Sequence, residues 1–140
     1  MTDSKIFIDT APFIYALENN ELYSSKVQKA FIDYYDSFTP LFTSFLTFTE
    51  YCVVPYKENN LQKIKDFETF IFDAQIEIVS LTKEVAEYAS FIRSKYQGIK
   101  AMDALQLASA IQNNCDVFLT NDKQLKQVQE ISVLLVDELS

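Results

Sequence analysis

Apolar residues along this chain recur with two different periods, and the switches between them divide it into elements. "KIFID" (5–9) is a short, largely apolar run ending in a carboxylate, the pattern of a strand buried on both faces in a parallel sheet. Residues 10–18 then read as a short helix, with Thr10 as its cap and Pro12 tolerated in the first turn. From Glu21 to Phe38 the positions Val27, Ala30, Phe31, Tyr34, Tyr35 and Phe38 follow the spacing of one helix face. "PLFTS" (40–44) reads as a second strand, and Ser44 caps a helix that runs until Pro55 bends or ends it. Residues 60–74 are helical again, with Leu61, Ile64, Phe67 and Ile71 on one side, before a third strand, "IEIVS" (76–80).

Thr82 caps the next helix, striped by Val85, Tyr88, Ala89, Ile92 and Tyr96 and broken by Gly98. A helix over 101–114 carries Ala104, Leu107, Ala108 and Ile111; "DVFLT" (116–120) and "SVLLV" (132–136) are the last two strands. Strands that are nearly unbroken apolar runs, alternating with helices, predict an α/β fold: a three-layer α/β/α sandwich around a parallel, roughly five-stranded sheet. No repeat, linker or low-complexity tract interrupts the series, so residues 1–140 are expected to form a single domain. In such sheets ligands gather beyond the carboxyl ends of the strands, where the strand order reverses.

Composition narrows the chemistry. With one Gly in the chain, Gly-rich phosphate loops and dinucleotide fingerprints are excluded. The chain has no His, which removes Ser-His-Asp and Cys-His catalysis and every imidazole-dependent zinc site. Cys52 and Cys115 are too few for a disulfide scaffold and read as inert core thiols of a reducing compartment. "MTDSKIFIDT" has no basic region followed by a long apolar stretch, and no window reaches the length of a membrane span, so a cytoplasmic protein is expected. The net charge of −8 argues against a broad nucleic-acid-binding face.

Four carboxylates share one address. Asp9 follows the first strand and Asp122 the fourth, Asp103 opens a helix at the edge of its apolar stripe, and Glu50 emerges from a largely apolar helix face. Lys57 is the only basic residue between positions 40 and 62, and Lys100 the only one between 96 and 122, so the acids have few partners. A hard divalent cation with oxygen ligands would neutralise such a cluster. Taken singly, each acid also has a plainer role as a turn residue, a helix cap, a complement to a helix dipole or a solvated side chain.

"IFIDTAPFIYAL", the "TEY" glutamate, "MDALQLASA" and "DVFLTNDKQL" together resemble, in order and spacing, the motifs of PIN domains, the nuclease fold of VapC-type toxins in bacterial toxin-antitoxin pairs. The resemblance covers residues 5–137 and implies that Asp9, Glu50, Asp103 and Asp122 match the family's acidic quartet, with Thr10, Thr120 and Asn121 as supporting polar positions. It implies an endoribonuclease hydrolysing RNA phosphodiester bonds with Mg²⁺ or Mn²⁺. Asp9 and Asp103 would be the central metal ligands, Asp122 a ligand or water-mediated contact, and Glu50 an outer ligand or proton acceptor. It further implies an RNA substrate, a small antitoxin covering the site with an Arg set against the acids, and a homodimer. Many relatives carry one more acid two positions beyond the last Asp, where this chain has Gln124, which leaves open whether one or two ions bind.

Lys57, Lys95, Lys100 and Lys123 lie near the motif ends, where they are either phosphate contacts or, the simpler reading, solvated surface lysines. Three rival readings remain. A phosphotransfer receiver and a haloacid-dehalogenase-type phosphatase both want a second acid near the first strand that "IFIDTA" lacks, and a catalytically silent PIN-like scaffold would keep the acids for folding. The aromatics around Phe31, Tyr34 and Tyr35 suit either a partner interface or the core.

Overall fold

A computed structural model describes residues 4–140; the first three residues of the expected domain, and of the stretch read as carrying no leader, lie outside the described residues. The strands are β1 (Ile6–Ile8), β2 (Leu41–Ser44), β3 (Ile76–Val79), β4 (Val117–Thr120) and β5 (Ser132–Leu135). They form one sheet in the order β3-β2-β1-β4-β5, with every pair parallel. The expected parallel five-stranded sheet is therefore present. The chain moves outward from β1 in one direction, then returns to lay β4 on its other side. The reversal in strand order thus falls between β1 and β4, and the crevice of an open parallel sheet opens there.

The helices are α1 (Thr10–Leu17), α2 (Ser24–Asp36), α3 (Phe45–Tyr51), α4 (Val53–Lys57), α5 (Leu61–Asp73), α6 (Lys83–Lys95) and α7 (Ala101–Gln112). Two cores lie on opposite faces of the sheet, as the alternation of side chains along a strand requires. On one face Phe7, Phe118, Val133 and Leu135 meet Val85, Ile92, Ala104 and Leu107 from α6 and α7. On the other, Ile6, Ile8, Leu41 and Leu119 meet Phe13, Val27, Phe31 and Phe67 from α1, α2 and α5. Phe7 and Phe118, neighbours in register across β1 and β4, stack with ring centroids 5.5 Å apart.

Three local expectations change. Asp9, not Thr10, caps α1: its carboxylate accepts the Thr10 N–H at 2.8 Å, and Thr10 is the first helical residue. The helix after β2 breaks at Cys52 rather than at Pro55. Pro55 sits in the first turn of α4, where its missing N–H has no intrahelical partner to lose. The α2 helix begins at Ser24, because Asn20 accepts the N–H groups of Leu22 and Tyr23 and holds the preceding residues in a turn. α2 also ends at Asp36, so Phe38, the last position of its expected stripe, lies beyond the helix and is exposed, as is Leu61 at the start of α5.

Candidate active site

Parallel pairing places Ile8 beside Leu119, so the residues that follow, Asp9 and Thr120, face each other at the strand ends. The Thr120 hydroxyl donates to Asp9 Oδ2 at 2.8 Å while the Thr10 N–H holds Oδ1, and both oxygens are thereby fixed in direction. Glu50 projects from α3 toward the same point, and its Oε1 accepts the Thr10 hydroxyl at 2.5 Å. Asp122 starts the 3-10 turn Lys123–Gln127: its side chain caps the Gln124 N–H at 3.0 Å, and its own N–H reaches Thr120 Oγ1 at 3.2 Å. Asp103 lies in the first turn of α7.

The four acids feel one another. Burial pushes the Asp9 carboxyl from its ordinary 3.8 up to about 6, against the pull of the Thr120 and Thr10 hydrogen bonds, and the charges of Glu50 and Asp103 raise it further. Burial likewise raises Asp103, with added repulsion from Asp122 and Glu50 and an opposing pull from Lys100. Among the described residues none of the four forms an ion pair. The charges of Glu50 and Asp103 thus act on Asp9, and those of Asp122 and Glu50 on Asp103, so the fold brings together four acids carried on elements separated by up to about a hundred residues of chain.

A buried polar relay sets the spacing of this pocket. Gln106, one turn beyond Asp103 on α7, accepts the Ser44 hydroxyl at 2.5 Å and donates to Thr47 at 2.9 Å. Thr47 pairs with Thr43 at 2.7 Å, and Thr43 donates to the Ile8 carbonyl at 2.8 Å. Thr43, Ser44, Thr47 and Gln106 are all buried. Such a network has strict geometry and penalises any unmade bond, so it locks α7, α3 and β1, the carriers of Asp103, Glu50 and Asp9, against one another. Sequence reasoning passed over Gln106; the available signal was an amide set between Leu105 and Leu107 in an otherwise apolar helix. Of the supporting positions, Thr10 and Thr120 touch the acids directly, whereas Asn121 turns away and donates to the Tyr15 hydroxyl at 2.9 Å.

The donor set consists of carboxylate and hydroxyl oxygens, which suits a hard divalent cation. Among the described residues no three acidic or thiol side chains are drawn close enough to ligate one ion together. An ion of the Mg²⁺ kind, which takes one or two carboxylates directly and keeps waters in its remaining positions, needs no preformed cage of that size. Both cysteines are free, and burial pushes the Cys115 thiol up to about 12, in keeping with an inert core position. No helix of the described residues is long and apolar enough to cross a membrane.

An open parallel α/β sheet with carboxylates at its strand-order reversal defines a class of folds whose ligand crevice is lined with acids. Within that class the sequence matches the family model of the PIN domain over residues 6–131, and the chain belongs to the PIN domain family. Its fold is similar to that in the crystal structure of VapBC2 from Rickettsia felis bound to a promoter DNA fragment. That match has a TM-score of 0.77 and 15% identity, and covers 94% of this chain and 98% of that one. FitAcB from Neisseria gonorrhoeae matches with a TM-score of 0.72 and 20% identity, over 96% of this chain and 99% of that one. VapC20 from Mycobacterium tuberculosis, a sarcin-ricin loop cleaving toxin, matches with a TM-score of 0.62 and 13% identity, over 81% and 86% of the two chains. No curated protein matches the sequence.

Proposed function

We propose that this chain is a single PIN domain acting as a divalent-metal-dependent endoribonuclease, the toxin of a type II toxin-antitoxin pair. The observation that carries the reading is the buried Asp9 carboxylate, fixed by two hydrogen bonds beside Glu50 and Asp103 and, among the described residues, in no ion pair. Asp9 and Asp103 would hold Mg²⁺ or Mn²⁺, with Asp122 assisting directly or through water. When bound, the ion supplies charge relief at the phosphoryl oxygens and eases ionisation of an attacking water. Thr10 and Thr120 keep Asp9 in one orientation, so little reorganisation is needed when substrate arrives. Glu50, half-buried and hydrogen-bonded on one oxygen only, has a free oxygen to accept a proton.

RNA is favoured as substrate by the likeness to a sarcin-ricin loop cleaving toxin, and an antitoxin by the likeness to VapBC and FitAcB assemblies. A place for such a partner exists on the far side of α2. A groove of about 500 Å³ between α2 and α5 is walled by Phe31, Ile32, Tyr35 and Phe70 and edged by Asp36, Asp66 and Asp73, which suits a helix that is apolar on one face and basic at its margins. Both aromatics of α2 reach the groove, Phe31 from its buried place in the core and Tyr35 half-exposed. Self-association belongs to the same reading.

Cleavage of mixed RNA in Mg²⁺ or Mn²⁺, compared with EDTA and repeated with Asp103→Asn, tests the proposal. Cleavage is expected only with the ion, reduced on the order of 100-fold in the variant. Undiminished cleavage in EDTA overturns the mechanism, and RNA left intact throughout by a chain that binds a partner tightly favours the silent scaffold.

A further inference from the structure

The connection between α6 and α7 borders an open cavity of about 910 Å³ in which Arg93 and Lys100 are the charged side chains and no acid takes part. In a chain with twenty acidic residues against twelve basic ones, an acid-free cavity with two cations stands out. Arg93 is the only arginine in the sequence. Its Nε donates to the Ile99 carbonyl at 3.3 Å, which anchors the guanidinium by one edge and leaves the terminal nitrogens without a hydrogen bond to any described residue. Among the described residues neither Arg93 nor Lys100 enters an ion pair, whereas Lys95, one of the lysines singled out from sequence, is taken up by Glu130 at 2.6 Å.

The cavity lies against the acidic pocket. Lys100 is the N-cap of α7, three residues before Asp103, and makes no side-chain cap there, so the first N–H groups of a twelve-residue helix open beside it. On the other side the chain turns through Gly98, at φ +79°, and a Cβ there would stand 3.3 Å from Gln124 Oε1, two residues beyond Asp122. The connection is also well braced. Gln127 Nε2 donates to the Gln97 carbonyl at 3.0 Å, and the Tyr96 hydroxyl donates to Glu130 at 2.6 Å while accepting the Gln129 N–H at 3.0 Å. Two cations on a fixed frame lose little conformational freedom when an anion binds.

We infer that Arg93 and Lys100 form a cradle for the sugar-phosphate backbone of RNA, gripping a phosphate that flanks the scissile bond on the Asp103 side of the pocket. The inference rests on the nuclease reading and adds to it the substrate contact that the acidic quartet lacks. Arg93 supplies the planar fork that matches two phosphoryl oxygens, Lys100 a mobile point charge. A strongly acidic protein thereby engages a polyanion through one local site rather than a broad basic face. Arg93 had no motif to mark it; its signal was being the sole arginine, five residues before the chain's sole glycine.

The test compares wild type with Arg93→Gln/Lys100→Gln and, as control, Lys65→Gln/Lys83→Gln, with the thermal midpoint of each recorded. Binding of a fluorescein-labelled, mixed-sequence 20-mer RNA is read by anisotropy in EDTA across a salt series, and KM and kcat in Mn²⁺. The cradle variant is expected to bind at least about tenfold more weakly and to lose roughly 0.7 from the slope of log K against log salt, the value for one phosphate contact on a single strand. Its KM rises with little change in kcat, Arg93→Lys restores part of the affinity, and the control matches wild type. RNA that is cleaved normally by the cradle variant, with unchanged KM and salt slope, overturns the cradle and leaves the nuclease reading standing. RNA that binds through Arg93 and Lys100 but is never cut supports the cradle and sinks the nuclease reading. Poly-glutamate competing as well as RNA would assign the cavity to an acidic protein segment and overturn the inference.

Discussion

Asp9→Asn is expected to reduce RNA cleavage on the order of 100-fold or more while making the metal-free protein more stable at pH 8 by up to about 3 kcal/mol. The two effects share one cause. Burial holds the Asp9 carboxyl at about 6 against an ordinary 3.8, so between those values the folded state binds a proton that the unfolded chain releases. Stability therefore falls as pH rises through this window; it is fully present below 3.8 and lost above about 6. A rise of about two units is worth roughly 3 kcal/mol at about 1.4 kcal/mol per unit. Asparagine keeps the shape and still accepts the Thr10 N–H, but carries no charge to desolvate. Urea denaturation in EDTA between pH 4 and pH 8 should show wild type weakening with pH and the variant much flatter. Asp103, raised in the same direction, leaves a smaller residual slope. A variant that is both fully active and no more stable at pH 8 would contradict the assignment of Asp9.

Phe67→Ala is expected to cost about 3–5 kcal/mol of stability, the range for truncating a fully buried aromatic side chain. Phe67 projects from α5 into a nest of rings: Tyr51 stacks on it with centroids 4.2 Å apart, Phe48 lies at 4.9 Å, and Phe13 meets it edge-on at 5.6 Å. Phe13 belongs to α1, which Asp9 caps, and Phe48 and Tyr51 to α3, which carries Glu50. The same ring thus packs together two of the helices that aim the acids, and its loss should loosen the pocket as well as the core. Phe72→Ala, five residues along the same helix but 82% exposed, should change stability by less than about 0.5 kcal/mol. Unfolding free energies from urea titration that fall within about 1 kcal/mol of each other for the two variants would show that the cluster does not hold the layer together.

The parallel sheet, and the places of Asp9 and Asp122 on its rim, could be read from the sequence for one physical reason. Strands buried on both faces are written as apolar runs, and "IFI" and "VFLT" are short and unbroken; a carboxylate directly after the first and two residues after the second has no role in the core, so Asp9 and Asp122 stand out. The helices were readable where one face alone is buried, as in α6, where Val85, Ala89 and Ile92 face the core. What stayed hidden depends on contacts between distant segments. The Cys52 break could not be told from Pro55, because a proline in a first turn looks the same in sequence as one that ends a helix. Gln106 reads as a polar flaw in an apolar helix until Ser44 and Thr47 are seen to satisfy it. Arg93 gains a role only once Gly98 folds the chain back beside Gln124.

One economy of the chain also emerges from the structure. With a single glycine, the helix ends at Phe38, Asn59, Gln75 and Asn114 take positive φ values between 52° and 60° with ordinary side chains. Asparagine tolerates this region well, whereas Phe38 and Gln75 carry a steric cost of about 1–2 kcal/mol each.

The claim on which the rest stands is that four separated carboxylates make one cation-demanding pocket. Calorimetric titration of Mn²⁺ into the metal-free protein and into the Asp9→Asn, Glu50→Gln, Asp103→Asn and Asp122→Asn variants measures this directly. Saturable binding in wild type, weakened at least about tenfold by Asp9→Asn and by Asp103→Asn, is the expected result. Absence of binding in wild type, or equal affinity in all five proteins, would contradict it.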